Sequence, residues 1–242
     1  MIKDTQTYLI FIIFALLFVS CKDKDSIYTS DCIALPPFEE VQVKSVFHIY
    51  LKQDTAYSIT IRGNREFTEG VRYEVENDLL ILSNETRMMW MNPENHIVEI
   101  YISADRPKKI MAEEACFIET VNPVITEEFG FVCGNKYAEA RFELDNAIFY
   151  FWNNFPCGGR LTLEGKTQSL RLWNYVIMSV DAINLITSHA FVENHSKGDC
   201  FVNVTGQLQY SIHGTGNIVL YGNPDEIVLL EKTSSGELIR ME

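Results

Sequence analysis

From Phe38 onward, apolar and polar residues alternate in short runs separated by turn-forming residues. Val41, Val43 and Val46 begin the pattern. Tyr57-Ser58-Ile59-Thr60-Ile61 alternates with period two and breaks at Gly63-Asn64. Tyr73-Glu74-Val75 runs into Asn77-Asp78, a pair suited to a hairpin turn, and Leu79 to Leu82 continues beyond it. Ile97-Val98-Glu99-Ile100-Tyr101-Ile102 alternates again. Successive side chains of a strand point to opposite faces, so this alternation marks half-buried strands. No window after Cys21 carries an apolar stripe at helical spacing, and the chain beyond it reads as nearly all β.

From about Lys108 a longer period appears. Ile118–Asn122, Phe149–Asn153, Leu170–Asn174, Ala190–Asn194 and Tyr210–Gly214 are short apolar segments of one type. Their last residues, 122, 153, 174, 194 and 214, step by 31, 21, 20 and 20. The closing residue is Asn or Gly, the types that tolerate positive φ, which predicts a left-handed turn at one point of every unit. Apolar residues recur two and four positions before each turn, as inward columns of stacked strands. A second apolar segment follows: Leu161–Leu163, Ile183–Leu185, Phe201–Val204 and Ile218–Leu220. A fixed period of about 20 residues with strands in register predicts a β-solenoid. The step of 31 predicts an insertion near Glu127 to Tyr137, and Ser234-Ser235-Gly236 an atypical last coil. Short strands at 8–12-residue spacing also suit a β-sandwich, which is the alternative fold.

The N-terminus changes the picture of location. Lys3 precedes an apolar run from Leu9 to Val19, and Ser20-Cys21 is followed by Lys22-Asp23-Lys24-Asp25. A short charged start, an apolar core of about 7–15 residues and a small residue at the cut site make a secretory signal. The run is short of the roughly 20 apolar residues a membrane span needs. Leu17-Phe18-Val19-Ser20-Cys21 resembles a bacterial lipobox, with Cys21 the acylated residue. The Lys-Asp repeat resembles the tag that sends lipoproteins of Bacteroidetes-type bacteria to the outer face of the outer membrane. The expected organisation is a signal peptide over 1–20, a lipidated polar tether over 21–37 and a solenoid domain over 38–242. Within the domain, N-terminal strands occupy 38–105 and regular coils 106–242.

Net charge is −13 at pH 7, which disfavours nucleic acid and anionic lipid surfaces as partners. If Cys21 is acylated, five cysteines remain: Cys32, Cys116, Cys133, Cys157 and Cys200. The odd number leaves at least one thiol free or paired between chains; with no CxxC spacing, free buried thiols are the expectation. Five scattered histidines form no HExxH-type pair, so neither a metal nor a cofactor is expected.

Ile212-His213-Gly214-Thr215-Gly216-Asn217-Ile218, then Tyr221-Gly222-Asn223-Pro224 and Ser235-Gly236, resemble the closing motifs of the head-GIN domain family of putative auto-transporter adhesins. Val46–Leu51, Tyr57–Ile61 and Leu79–Leu82 resemble its opening strands. The middle turns depart from the family's Ser-Gly repeats, carrying Ala115-Cys116, Asn146-Ala147 and Ser188-His189-Ala190. The resemblance implies a right-handed, parallel β-helix-like fold in a surface or periplasmic lipoprotein.

Trp152 and Trp173 fall in one column beside Asn153, Asn174 and Asn194. Stacked rings flanked by amides predict a contact surface for a glycan or a protein, or a purely structural ladder. Met88-Met89-Trp90-Met91 is a second apolar contact candidate, or core filler. Glu143, Asp145, Glu164, Asp181 and Glu193 lie in the coils, and no two of them are expected in one column on adjacent coils. With no paired carboxylates, the chain is read as non-enzymatic; a carbohydrate-active enzyme and an architectural envelope component are the alternatives.

Overall fold

The computed structural model describes residues 27–86, 97–134, 137–153 and 157–241. The signal segment, Cys21 and the Met88–Met91 loop lie outside the described residues. The described chain is a β-solenoid, 70% strand and 2% helix. Parallel pairing at a constant offset rules out the sandwich. Tyr137–Trp152 pairs with Gly158–Trp173 at 21 residues, and Glu128–Cys133 with Ile148–Asn153 at 20.

Each turn contributes to two walls. On the first wall, Glu40–Val43, Lys109–Ala112 and Glu128–Cys133 stack in that order. The stack continues through 148–153, 169–173, 189–194, 207–212 and Glu226–Lys232. On the second wall Phe47–Gln53 is followed by Cys116–Thr120, 137–146 and 158–167, and farther on by 180–182, 200–203 and Ile218–Tyr221. The spacing is unbroken, so no insertion lies near Glu127. Asn122 closes a second-wall strand, whereas Asn153 closes a first-wall strand whose neighbour is Cys133. Likewise Asn194 pairs with Ile212, not Gly214. A register shift between Ala182 and Ile186 makes Val180–Ala182, not Ile183–Leu185, the partner of Cys200–Val202.

The first parallel strands of the solenoid do not lie at the end of the stack. Glu40–Gln53 lies between the level built by Leu79–Asn84 and Glu99–Ala104 and the level built by Lys109–Thr120. That terminal level is closed by antiparallel strands. Ser58–Asn64 pairs with Glu99–Ala104, Val71–Glu76 with Leu79–Asn84, and Ile27–Thr29 and Ile33–Ala34 with Ser58–Asn64. Antiparallel hairpins cover an edge that would otherwise template further pairing. The turn at Asn77 (φ 51°) and Asp78 (φ 62°) is left-handed at both residues, as a two-residue hairpin turn requires. A one-turn helix, Arg65–Thr68, starts where Asn64 Oδ1 accepts the Glu66 N–H at 3.0 Å and buries Phe67.

Inward positions form one core running the length of the solenoid. Its middle is aromatic: the Phe142 ring lies 5.3 Å from Phe129 and 5.5 Å from Phe131, edge on in both cases. Burying a side chain of this size contributes roughly 1.5–3 kcal/mol. Gly165 has φ +96°, and a Cβ there would meet the Leu144 carbonyl oxygen at 2.2 Å; only glycine lets the coils approach at this corner.

Cys133 and Cys157 form a disulfide, so these two are not the free thiols the spacing suggested. Cys32 is free and exposed; Cys116 and Cys200 are free and buried, and burial pushes both thiols up to about 12.

Candidate functional site

Alternation sorts the predicted contact residues onto opposite sides of the wall. Asn153, Asn174 and Asn194 are wholly buried, so they face the core and not a ligand. None has positive φ; among the described non-glycine residues only Asn77, Asp78 and Val176 do. Asparagine is there for its amide. Asn153 Oδ1 accepts the Tyr175 backbone N–H at 2.7 Å, and its Nδ2 donates to the Tyr175 carbonyl at 3.0 Å. Asn174 Nδ2 donates to Met178 O at 2.9 Å and to Asn194 Oδ1 at 3.2 Å. Asn194 Nδ2 donates to Gly198 O and Gly216 O, while its Oδ1 accepts the Ser196 N–H. These amides bond to backbone groups at the inner face of the coils, although Asn174 Oδ1 itself has no hydrogen-bond partner.

Trp152 and Trp173 do face outward, in register on adjacent coils. Trp152 is 41% exposed, and the Trp173 ring centroid lies 5.5 Å from that of Phe191. Tyr150 flanks them; its ring lies over Gly130, where a Cβ would come within 2.0 Å of it. Burial there, followed by Glu128 and Glu40, raises the Tyr150 hydroxyl above its ordinary value.

Two residues beyond Trp173 the aromatic run continues. Tyr175 stacks on His195 at 4.4 Å, and His195 on His213 at 4.3 Å with ring planes 21° apart. His195 Nε2 lies 2.7 Å from Glu193 Oε1, and the Tyr175 hydroxyl donates to that oxygen at 3.4 Å. Burial and the Glu193 carboxylate raise the Tyr175 hydroxyl. His213 Nδ1 lies 2.8 Å from Thr233 Oγ1, and its Nε2 lies 3.9 Å from Glu231 Oε2. No local motif marks this cluster. His195 and His213 are 18 residues apart and meet only through the register.

The second wall carries another stack that periodicity alone did not single out. His48 lies on Tyr50 at 4.4 Å and Tyr50 on Tyr101 at 4.6 Å, with Phe117 at 5.8 Å from His48. Burial first, then Glu99, raises both tyrosine hydroxyls. An adjoining depression of about 230 Å³ is lined by His48, Phe117, Glu119, Glu139, Arg141 and Arg160.

The carboxylates correct one expectation, because Glu143 and Glu164 do share a column on adjacent coils. Glu164 Oε1, however, accepts from Arg141 Nη2 at 2.8 Å. Asp145 pairs with Lys166 at 3.2 Å and Asp181 with Arg160 at 3.6 Å. Glu164, Asp145 and Asp181 are thus tied into surface ion pairs with basic side chains.

The whole architecture recurs in solved structures. A putative adhesin from Bacteroides fragilis superposes with a TM-score of 0.76 at 18% identity, covering 89% of this chain and 97% of that one. A putative adhesin from Parabacteroides merdae gives 0.61 at 13% identity, covering 90% and 97%. A putative lipid binding protein from Parabacteroides distasonis gives 0.60 at 13% identity, also covering 90% and 97%. At these identities the likeness is one of fold. Curated protein sequences give no match. Among the described residues no helix is long and apolar enough to cross a membrane. The model of the family described as "Putative auto-transporter adhesin, head GIN domain" matches residues 37–224. With that match spanning most of the chain, this protein belongs to the head-GIN family of putative auto-transporter adhesins.

Proposed function

We propose that this protein is a non-enzymatic binding module, held at the outer membrane by a lipid on Cys21 and displayed at the cell surface. Its ligand is a glycan chain taken on the first wall. The observation that carries this reading is the register of Trp152 with Trp173, which lines up outward indoles beside Phe191 and Tyr150. Flat aromatic faces present apolar area to the C–H faces of sugars, and their N–H and O–H edges supply directional bonds. A row of outward aromatics is the kind of exposed apolar surface that marks a contact site. Export is supported by the signal-like N-terminus and by the Cys133–Cys157 disulfide, since such bonds persist in oxidising compartments. The lipobox-like Leu17–Cys21 supports the anchor, and the family supports surface display.

A glycan array probed with the chain, followed by titration of the best hit, tests this. A saturable glycan ligand is expected, weakened at least tenfold in Trp152→Ala and Trp173→Ala, in line with the loss of about 1.4 kcal/mol or more per ring. Silence across the array, or an affinity that ignores both substitutions, refutes the reading. A protein ligand captured through the same two residues would replace the glycan with a protein partner.

A further inference from the structure

Glu193, His195 and His213 stand at the end of the aromatic run, half-buried and outward. One ligand atom from each lies within 4.8 Å of the other two; among the described residues no other such trio of His, Cys, Asp or Glu converges. The construction is simple. Residues two apart on a strand share a face, which pairs Glu193 with His195, and the register brings His213 alongside from the next coil. Glu231, on the coil after that, brings a second carboxylate to His213 Nε2.

The orientation of the rings is informative. Thr233 Oγ1 sits 2.8 Å from His213 Nδ1 and is placed to accept its proton. That leaves the Nε2 lone pair directed at Glu231, while His195 Nε2 is directed at Glu193. Without an ion, His195 as the neutral Nε2–H imidazole donates to Glu193, as the Tyr175 hydroxyl does; with its proton on Nδ1 instead, His195 turns a second Nε2 lone pair toward the carboxylates. In those tautomers one divalent ion would meet the lone pairs of both imidazoles and both carboxylates at once.

We propose that Glu193, His195 and His213, with Glu231 as fourth ligand, form a binding site for a divalent transition metal of the zinc type. Imidazole nitrogen with carboxylate oxygen selects zinc-like ions over calcium and magnesium, which prefer all-oxygen sets. Bonds of about 2.0–2.2 Å require a tighter cluster than the one seen, and nearly parallel rings must splay to aim at one point. Rotation about the histidine χ2, a broad torsion, provides this on an outward face. Thr233 is the outer-shell partner that fixes the tautomer and aim of His213, and the Tyr175 hydroxyl plays that part for Glu193. The site is independent of whether the aromatic wall takes a glycan.

The test is a calorimetric Zn²⁺ titration of the EDTA-stripped chain, with Co²⁺ absorption as a readout of coordination geometry. One equivalent should bind saturably, with the intense visible bands of four-coordinate Co²⁺, and excess Ca²⁺ should not compete. His195→Gln and His213→Gln should each lose at least a hundredfold in affinity. Thr233→Val should lose about tenfold, the usual effect of an outer-shell partner. His48→Gln, which alters the other His–carboxylate pair, should bind as the parent does. Melting in EDTA, expected unchanged for outward substitutions, separates lost ligands from lost fold. No saturation below about 0.1 mM Zn²⁺, an affinity unchanged by both histidine substitutions, or an equal loss in His48→Gln overturns the proposal.

Discussion

Asn174 offers the sharpest test of the inward asparagine ladder. Its amide is fully buried and its Nδ2 donates to Met178 O, Asn194 Oδ1 and Cys200 Sγ. Asn174→Ala removes these bonds but strands no acceptor outright, since Met178 O also takes Ser196 Oγ and Asn194 Oδ1 also takes the Ser196 N–H. Two net hydrogen bonds at about 1 kcal/mol each, plus a small cavity, make roughly 2–3 kcal/mol. For a chain of this size that lowers Tm by about 4–12 °C. Asn174→Asp is nearly isosteric but turns the donor into an acceptor facing three acceptors. Burial would raise that carboxyl by some 3 units or more above its unfolded value of about 3.9. The sign follows directly. An acid whose folded pKa is raised favours the folded state fully below pH 4, and that advantage is lost as pH rises. The loss is about 1.4 kcal/mol per unit, or about 4 kcal/mol between pH 4 and 7. Thermal melts of both variants and the parent from pH 4 to 7 should show Asn174→Ala displaced by a constant amount and Asn174→Asp diverging steadily. If Asn174→Asp instead tracks Asn174→Ala at every pH, the amide faces water, and the assignment of this ladder to the core is wrong.

Three further expectations are independent of that ladder. The Cys133–Cys157 crosslink closes a 24-residue separation, worth about 3 kcal/mol, so reduction should lower Tm by about 6–12 °C in scanning calorimetry; among the cysteines of the described residues, only Cys32 should react with a thiol reagent in the native protein, because Cys116 and Cys200 are buried and held protonated. Cys21→Ser should move the protein from the membrane to the soluble fraction and abolish metabolic lipid labelling; unchanged fractionation and labelling would sink the anchor.

Much of the fold was readable because burial imposes period two along each strand and stacking imposes a period of about 20 along the chain. What those periods omit is which wall a segment belongs to. Asn122 and Asn153 look alike and close similar strands, yet one ends a second-wall segment and the other a first-wall segment, so the step of 31 between them crosses from one wall to the other and is no insertion. The order of the levels was also hidden. Nothing local in Glu40–Gln53 says that a later segment, Leu79 to Ala104, will slide beneath it. That placement is decided by which edge the antiparallel hairpins can close, a property of the finished stack.

The site divides along the same line. Trp152 and Asn153 are neighbours on one strand, so if one points out the other must point in; the alternation that located the strands already forbade placing both on a ligand face. Asparagine was read through its tolerance of positive φ, and the competing property, an amide able to satisfy backbone groups where the strand turns, is the one the coil uses. The histidine cluster was invisible for the opposite reason. Ligand motifs that can be read from sequence depend on fixed local spacing, as on a helix. In a solenoid the third ligand comes from the next coil, at a distance set by whatever the intervening corner happens to be. Here that corner shortens the step to 18 residues, which a search at the mean period of 20 would place on Thr215, not on His213. In such folds, candidate sites become legible only after the register of each pair of coils is known, and outward side chains should then be compared across coils before they are compared along the chain.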